Sequence, residues 1–187
     1  MRAIRILKLL GLVALCGSFH IAQAQSTIFV TRHADRYGTE PNPTLTPKGQ
    51  EQACSLAQIL SDANVKHIFT TELIRTQETA APLAHKTKVV PVVVPQDNFD
   101  ELIVKVRDSL KPNESILVVG HRASVPKIVH ALTGKDVAPL GSDEYGRLIA
   151  ITLMPDGSSS VVTLKYAFPP RLGKASASRT DKRSCIE

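Results

Sequence analysis

Ser26-Thr27-Ile28-Phe29-Val30-Thr31-Arg32-His33-Ala34 is the stretch on which the reading of the fold turns. Its first six residues are mostly β-branched, aromatic or hydroxylated and predict a strand over 26–31. The run then stops on an arginine and a histidine. A strand that leaves the core on two strongly polar side chains carries them to the end of a sheet, where packing does not dictate residue type.

The same punctuation recurs along the chain. Thr46 and Pro47 stand in the cap and first-turn positions of a helix whose apolar face is Ala53, Leu56, Ala57 and Leu60, ending near Asp62. Residues 67–71 predict a second strand, and 73–84 a second helix with Arg75 in its first turn. Residues 89–94 are strand-like, but Pro91 and Pro95 have no N–H to donate and confine them to a sheet edge or an early stop. Phe99, Leu102, Ile103, Val106 and Leu110 keep helical spacing. Residues 115–119 form a short apolar strand that delivers Gly120 and His121, and Val125, Ile128, Val129 and Leu132 mark a helix running to Gly134. Residues 148–153 and 160–166 flank Pro155-Asp156-Gly157 and predict a terminal hairpin. Strand and helix alternate four times before it. The expected fold class is α/β, a three-layer sandwich of a mostly parallel sheet with helices on both faces and a C-terminal hairpin.

Residues 1–24 read as a secretory signal: Arg2, Arg5 and Lys8, an apolar run, then Ala22-Gln23-Ala24 before an expected first mature residue, Gln25. The run is too short to span a bilayer, and Leu15 before Cys16 argues against lipidation. The expected location is periplasmic or secreted. Residues 171–187 are polar, small and basic and are expected to be a flexible tail, leaving 25–170 as the folded domain. The formal charge of +6 resides in the two ends, because 25–170 contains as many acidic as basic residues. A neutral body with few aromatic residues excludes a nucleic-acid-binding role. After cleavage Cys54 and Cys185 remain, and two readings stand: a buried helical thiol at Cys54, or a bridge between them. The sequence does not set the oligomeric state.

In open α/β sheets ligands bind beyond the carboxyl ends of the strands, which gathers Arg32, His33, Arg75 and His121 into one site. Two arginines supply directional donors for the oxygens of a phosphoryl group. A neutral imidazole between them is a nucleophile, since nearby cations disfavour the imidazolium. Such a site needs electrostatics and positioning rather than a metal or cofactor, and none is expected. His67, His85 and His130 lack ligand spacing and are expected to be structural or exposed.

These residues also carry a family resemblance. Thr31-Arg32-His33-Ala34 resembles the Arg-His-Gly signature of the histidine phosphatase superfamily, the phosphoglycerate mutase-like proteins, with Ala34 in place of glycine. Residues 45–53 resemble its Leu-Thr, Gly, Gln-Ala segment, residues 71–80 the segment that supplies its next arginine, and Val119-Gly120-His121 its second histidine. The resemblance implies that His33 is the nucleophile and that Arg32, Arg75 and His121 bind the phosphoryl group. Arg122 stands where the branch of larger acid phosphatases has an acid, so the small mutase-like branch fits better.

The proton donor stays open among Asp35, Glu101, Glu144 and no dedicated acid, with Asp35 preferred for its place two residues beyond His33. Arg36 repeats the spacing of an additional phosphate-binding arginine and is expected to bind substrate, against a solvated loop charge. Asp143-Glu144-Tyr145, just before the hairpin, has two readings, ordinary loop packing, which is preferred, and the rim of the pocket. The expected activity is hydrolysis of a phosphorylated small molecule or envelope phosphosugar through phospho-His33. A catalytically silent phosphate-ester-binding module and a phosphosugar mutase are the alternatives.

Overall fold

The computed structural model describes residues 25–38 and 40–166; the signal-like segment 1–24 and the basic tail 171–187 lie outside the described residues. The elements run β1 (Ser26–Arg32), α1 (Pro47–Leu60), β2 (Val65–Thr70), α2 (Ile74–Thr87), β3 (Val92–Val93), α3 (Phe99–Asp108), β4 (Ser115–Gly120), α4 (Ser124–Thr133), β5 (Arg147–Leu153) and β6 (Ser159–Lys165). They build one six-stranded sheet in the order β3-β2-β4-β1-β5-β6. The β3-β2, β2-β4 and β4-β1 pairings are parallel; β5 joins β1 and β6 antiparallel as the terminal hairpin.

Alternation along β4 shows how the sheet is covered. Ile116 and Val118 point into a cluster with Val106 of α3 and Val125, Ile128, Val129 and Leu132 of α4. Leu117 and Val119, on the opposite face, join Leu56, Ala57 and Leu60 of α1 and Ala80 and Leu83 of α2. Both faces are therefore packed, which is why β4 is apolar at every position between Ser115 and Gly120.

Three elements differ in extent from the sequence expectation. β3 shrinks to two residues between Pro91 and Pro95 and lies at the sheet edge, as missing N–H donors require. α2 runs on to Thr87 despite Pro82, and ends where Lys88 turns left-handed at φ 60°. Its Pro82 is buried, so packing on α2's inner face offsets the lost helical hydrogen bond. β2 begins at Val65, ahead of the expected 67.

Cys54 is half-buried on α1 and disulfide-bonded, and its partner lies outside the described residues. That corrects the simpler reading of a buried free thiol. The half-exposed position explains the difference, because a bridge needs a cysteine that a second segment can reach.

The start of α1 is welded to the segment after β1. Thr46 caps the helix by accepting from the Gly49 amide at 3.0 Å, while its own amide donates to the Asp35 carbonyl at 3.0 Å. Gly49 lies so close that a Cβ there would sit 1.9 Å from the Asp35 carbonyl oxygen. Gly49→Ala gains up to about 1 kcal/mol of helix propensity but must displace backbone, an overpacking cost of about 1–3 kcal/mol or more. We expect a net loss of about 2 kcal/mol in urea denaturation. A variant as stable as the parent would show that this close approach does not constrain the fold.

Candidate active site

β1 and β4 are parallel neighbours with Arg32 in register with Gly120, so the residues that follow them emerge side by side. The His33 amide donates to the Gly120 carbonyl at 2.9 Å, which extends the pairing one step past the strand. The two imidazoles then lie with ring centroids 5.6 Å apart. β2 flanks β4 on its other side, and Arg75 enters from the first turn of α2 just beyond β2. Arg32, His33, Arg75 and His121 all line one cleft of about 600 Å³, together with Arg36, Gln96, Arg122, Asp143 and Tyr145.

His33 is 3% exposed. Its Nδ1 lies 2.8 Å from the Ala34 carbonyl oxygen, which can only accept. That contact assigns the proton to Nδ1 and leaves the Nε2 lone pair as the ring's nucleophilic position. Ala34 itself is fully buried beside Leu45 and Ala53, and its amide donates to Thr79 Oγ1 at 2.9 Å. Its φ is not positive. A methyl is thus accommodated where the resembling signature has glycine, and the carbonyl that orients His33 is kept.

Electrostatics hold both rings neutral. Burial, followed by the charges of Arg32, His121 and Arg75, lowers the His33 pKa to about 3 against the opposing pull of the Ala34 hydrogen bond. Burial and Arg75 lower His121 to about 4, and Glu72 opposes the shift. Behind His121, Nε2 meets Thr71 Oγ1 at 3.2 Å, and Thr71 Oγ1 meets Thr76 Oγ1 at 3.0 Å. These hydroxyls fix the ring and leave Nδ1 as its other polar edge.

Arg32 is held from behind. Its Nη1 donates to the carbonyls of Gly141, Ser142 and Glu144 at 3.2, 2.7 and 3.1 Å, and the guanidinium carbon lies 4.1 Å above the Tyr145 ring centroid. The 141–145 loop is itself stapled by Glu144, whose carboxylate accepts from the Gly141 amide and from two nitrogens of Arg147. The Nε groups of Arg32 and Arg75 are buried with no hydrogen-bond partner among the described residues. Desolvation lowers the pKa of both guanidiniums, yet they stay protonated at any physiological pH. Two buried cationic donors without acceptors, beside a neutral imidazole, are complementary to an oxyanion.

The expected acids are placed elsewhere. Asp35 faces Lys48 Nζ at 3.8 Å and is not among the cleft-lining residues. Glu101 pairs with Lys105 at 3.5 Å and accepts from Asn98. Glu144 is consumed by the loop staple, which holds its carboxyl below the usual range. Arg36 does line the cleft, anchored on the Tyr37 and Gly38 carbonyls. Tyr145, which lies 5.9 Å from the His33 ring and stacks under Arg32, and Asp143 line the pocket, against the preferred expectation of ordinary loop packing, while sequence reading gave Arg122 and Gln96 no place there. Only the triplet 143–145 offered a signal, a charged and aromatic cluster just before a strand. Among the described residues no cluster of three potential ligands is placed to hold a metal, and no helix is long and apolar enough to cross a membrane.

Comparison with known proteins follows the same lines. A family model described as histidine phosphatase superfamily (branch 1) matches residues 28–114, which include Arg32, His33 and Arg75. A 56-residue segment is 46% identical to the PE-PGRS family protein PE_PGRS11 of Mycobacterium tuberculosis; it covers 29% of this chain and only 10% of that protein. Among solved structures, the protein histidine phosphatase SixA complexed with tungstate superposes with a TM-score of 0.60 at 16% identity, over 74% of this chain and 96% of that one. The mycobacterial glucosyl-3-phosphoglycerate phosphatase gives 0.60 at 12% identity over 76% and 100%, and the alpha-ribazole phosphatase from Shigella flexneri 0.59 at 15% over 75% and 96%. The fold supplies, beyond the matched segment, the second histidine at the end of β4. Residues 28–114 match the histidine phosphatase superfamily, and the signature and the sheet agree with that match.

Proposed function

We propose that this chain is a phosphatase that hydrolyses phosphomonoesters through a phosphohistidine on His33. The observation that carries the reading is the pairing of a buried, neutral His33, its proton held at Nδ1 by Ala34, with two cleft-lining arginines whose buried Nε groups have no acceptor among the described residues.

The Nε2 lone pair attacks phosphorus, a P–N bond forms as the ester P–O bond breaks, and the alcohol oxygen departs with the electron pair. As the ring gains positive charge, its Nδ1 donates more strongly to the Ala34 carbonyl. Arg32, Arg75 and His121 hold the three peripheral oxygens while charge spreads over them. A water then attacks the phosphohistidine, the P–N bond breaks, and neutral His33 is restored. Over both steps one water gives a proton to the alcohol and a hydroxyl to phosphate. Among the described residues Asp35, Glu101 and Glu144 do not line the cleft and Asp143 does, so in this open site the leaving oxygen draws its proton from solvent or through Asp143.

We place the protein outside the cytoplasm, in the periplasm or beyond. The signal-like residues 1–24 support this reading, and so does the disulfide at Cys54, a bond that persists mainly in oxidising compartments. The names of two similar structures, which act on a glucosyl-phosphoglycerate and on alpha-ribazole phosphate, favour a phosphorylated small molecule, including an envelope phosphosugar. A mutase fits less well, since among the described residues nothing covers the cleft to shield the phosphoenzyme from water.

The test is phosphate release from a panel of phosphomonoesters by the purified chain, with an acid-labile, base-stable phosphoenzyme trapped by rapid quench. Tight ester binding in calorimetry without released phosphate would instead establish a silent binding module.

A further inference from the structure

Charge in the cleft exceeds what a single phosphoryl group needs. A phosphomonoester brings close to two negative charges at neutral pH. Arg32 and Arg75 supply two permanent positive charges, and His33 and His121 supply none because both are held neutral. The inner site is thus balanced once a phosphoryl group is bound. The same cleft is nevertheless lined by two more cations, Arg36 and Arg122.

Among the described residues neither outer arginine has a carboxylate partner. Arg122 is exposed and makes no hydrogen bond or ion pair among the described residues, and Arg36 donates only to the Tyr37 and Gly38 carbonyls of its own loop. Among the described residues Asp143 is the one acidic residue lining the cleft; its charge acts on Arg32 and leaves the four arginines about one positive charge in excess of a bound phosphoryl group. Both outer charges press on the inner ones: Arg36 on Arg75 and Arg32, and Arg122 on Arg32. Such mutual repulsion disfavours the free site and is relieved by bound anions. A cleft of about 600 Å³ also has room for much more than a phosphate ion.

Resting on the phosphatase reading above, we propose that Arg122 and Arg36 receive a second phosphate carried by the leaving portion of the substrate, so that the preferred substrates are bisphosphorylated small molecules. His33 takes one phosphate while the outer arginines hold the other. In this role Arg122 and Arg36 are specificity residues that touch the part of the substrate that does not react. Their guanidiniums form charge-assisted hydrogen bonds to phosphate oxygens, and one such contact corresponds to about tenfold in affinity.

The experiment compares fructose 1,6-bisphosphate with fructose 1-phosphate and fructose 6-phosphate at fixed ionic strength, with 3-phosphoglycerate as the carboxylate counterpart. The variants are Arg122→Gln, Arg36→Gln, and Lys111→Gln as a charge control. Lys111 lies at the opposite end of the sheet, where its carbonyl meets Ser26 at the start of β1. The parent and Lys111→Gln should favour the bisphosphate by about tenfold or more in kcat/KM, chiefly through KM. The ratio should fall toward one in Arg122→Gln and decline in Arg36→Gln. Equal kcat/KM for bisphosphate and monophosphates in the parent would overturn the proposal, as would an unchanged ratio in Arg122→Gln. A preference for 3-phosphoglycerate over the bisphosphate would overturn it in favour of a carboxylate. If the parent turned over none of them, the phosphatase reading would fail separately. Calorimetry would then decide this one: tighter binding of the bisphosphate that Arg122→Gln abolishes supports it, and equal affinities overturn it.

Discussion

His33→Ala should release phosphate from a phosphomonoester at least about 10⁴-fold more slowly than the parent, with no acid-labile phosphoenzyme after rapid quench. The magnitude follows from the role: without Nε2 no P–N bond forms, and the remaining arginines act only on direct attack by water. Positioning and charge alone still give some acceleration, so a residual rate is expected rather than none. The fold should persist, because His33 sits at a strand end and its own amide bond to Gly120 survives the substitution. His33→Asn tests the same point with a polar side chain of similar size. Turnover within tenfold of the parent in either variant would remove His33 as the nucleophile and leave the arginines as a binding site for something else.

The strand ends were legible because apolar runs broke off on arginine or histidine, and the rule that ligands bind beyond carboxyl ends then assembled Arg32, His33, Arg75 and His121 without coordinates. What made the four converge was adjacency of β1 to β4 and of β4 to β2, which sequence order does not reveal. Proximity in sequence misled at Asp35. After His33, Ala34 packs against Leu45 and Ala53, and Asp35 faces Lys48 of α1 instead of the cleft. Loop 141–145 was opaque for a different reason. It has no periodicity, and its shape comes from Glu144 gripping Arg147 and the Gly141 amide, a geometry that composition does not encode. Ala34 departs from the glycine signature, and the backbone there needs no left-handed turn.

Arg32→Ala should lower kcat for a phosphomonoester by about 10²–10³-fold, the scale of losing one well-aligned donor to developing charge. Two effects combine in that figure. The guanidinium that lines the cleft is lost, and the carbonyls of Gly141, Ser142 and Glu144 lose their shared donor. The second effect frees the loop that carries Tyr145 against the His33 ring, so the nucleophile also loses its packing partner. Arg32→Lys separates the two contributions. A lysine keeps the charge but has no planar fork, and it cannot satisfy the loop carbonyls and present a donor to phosphate at once. It should therefore recover part of the binding of vanadate, a pentacoordinate mimic of the transferring phosphoryl, while kcat stays well below the parent. If Arg32→Ala instead raised KM alone and left kcat intact, Arg32 would bind ground and transition states equally, and the clamp would reduce to Arg75 and His121.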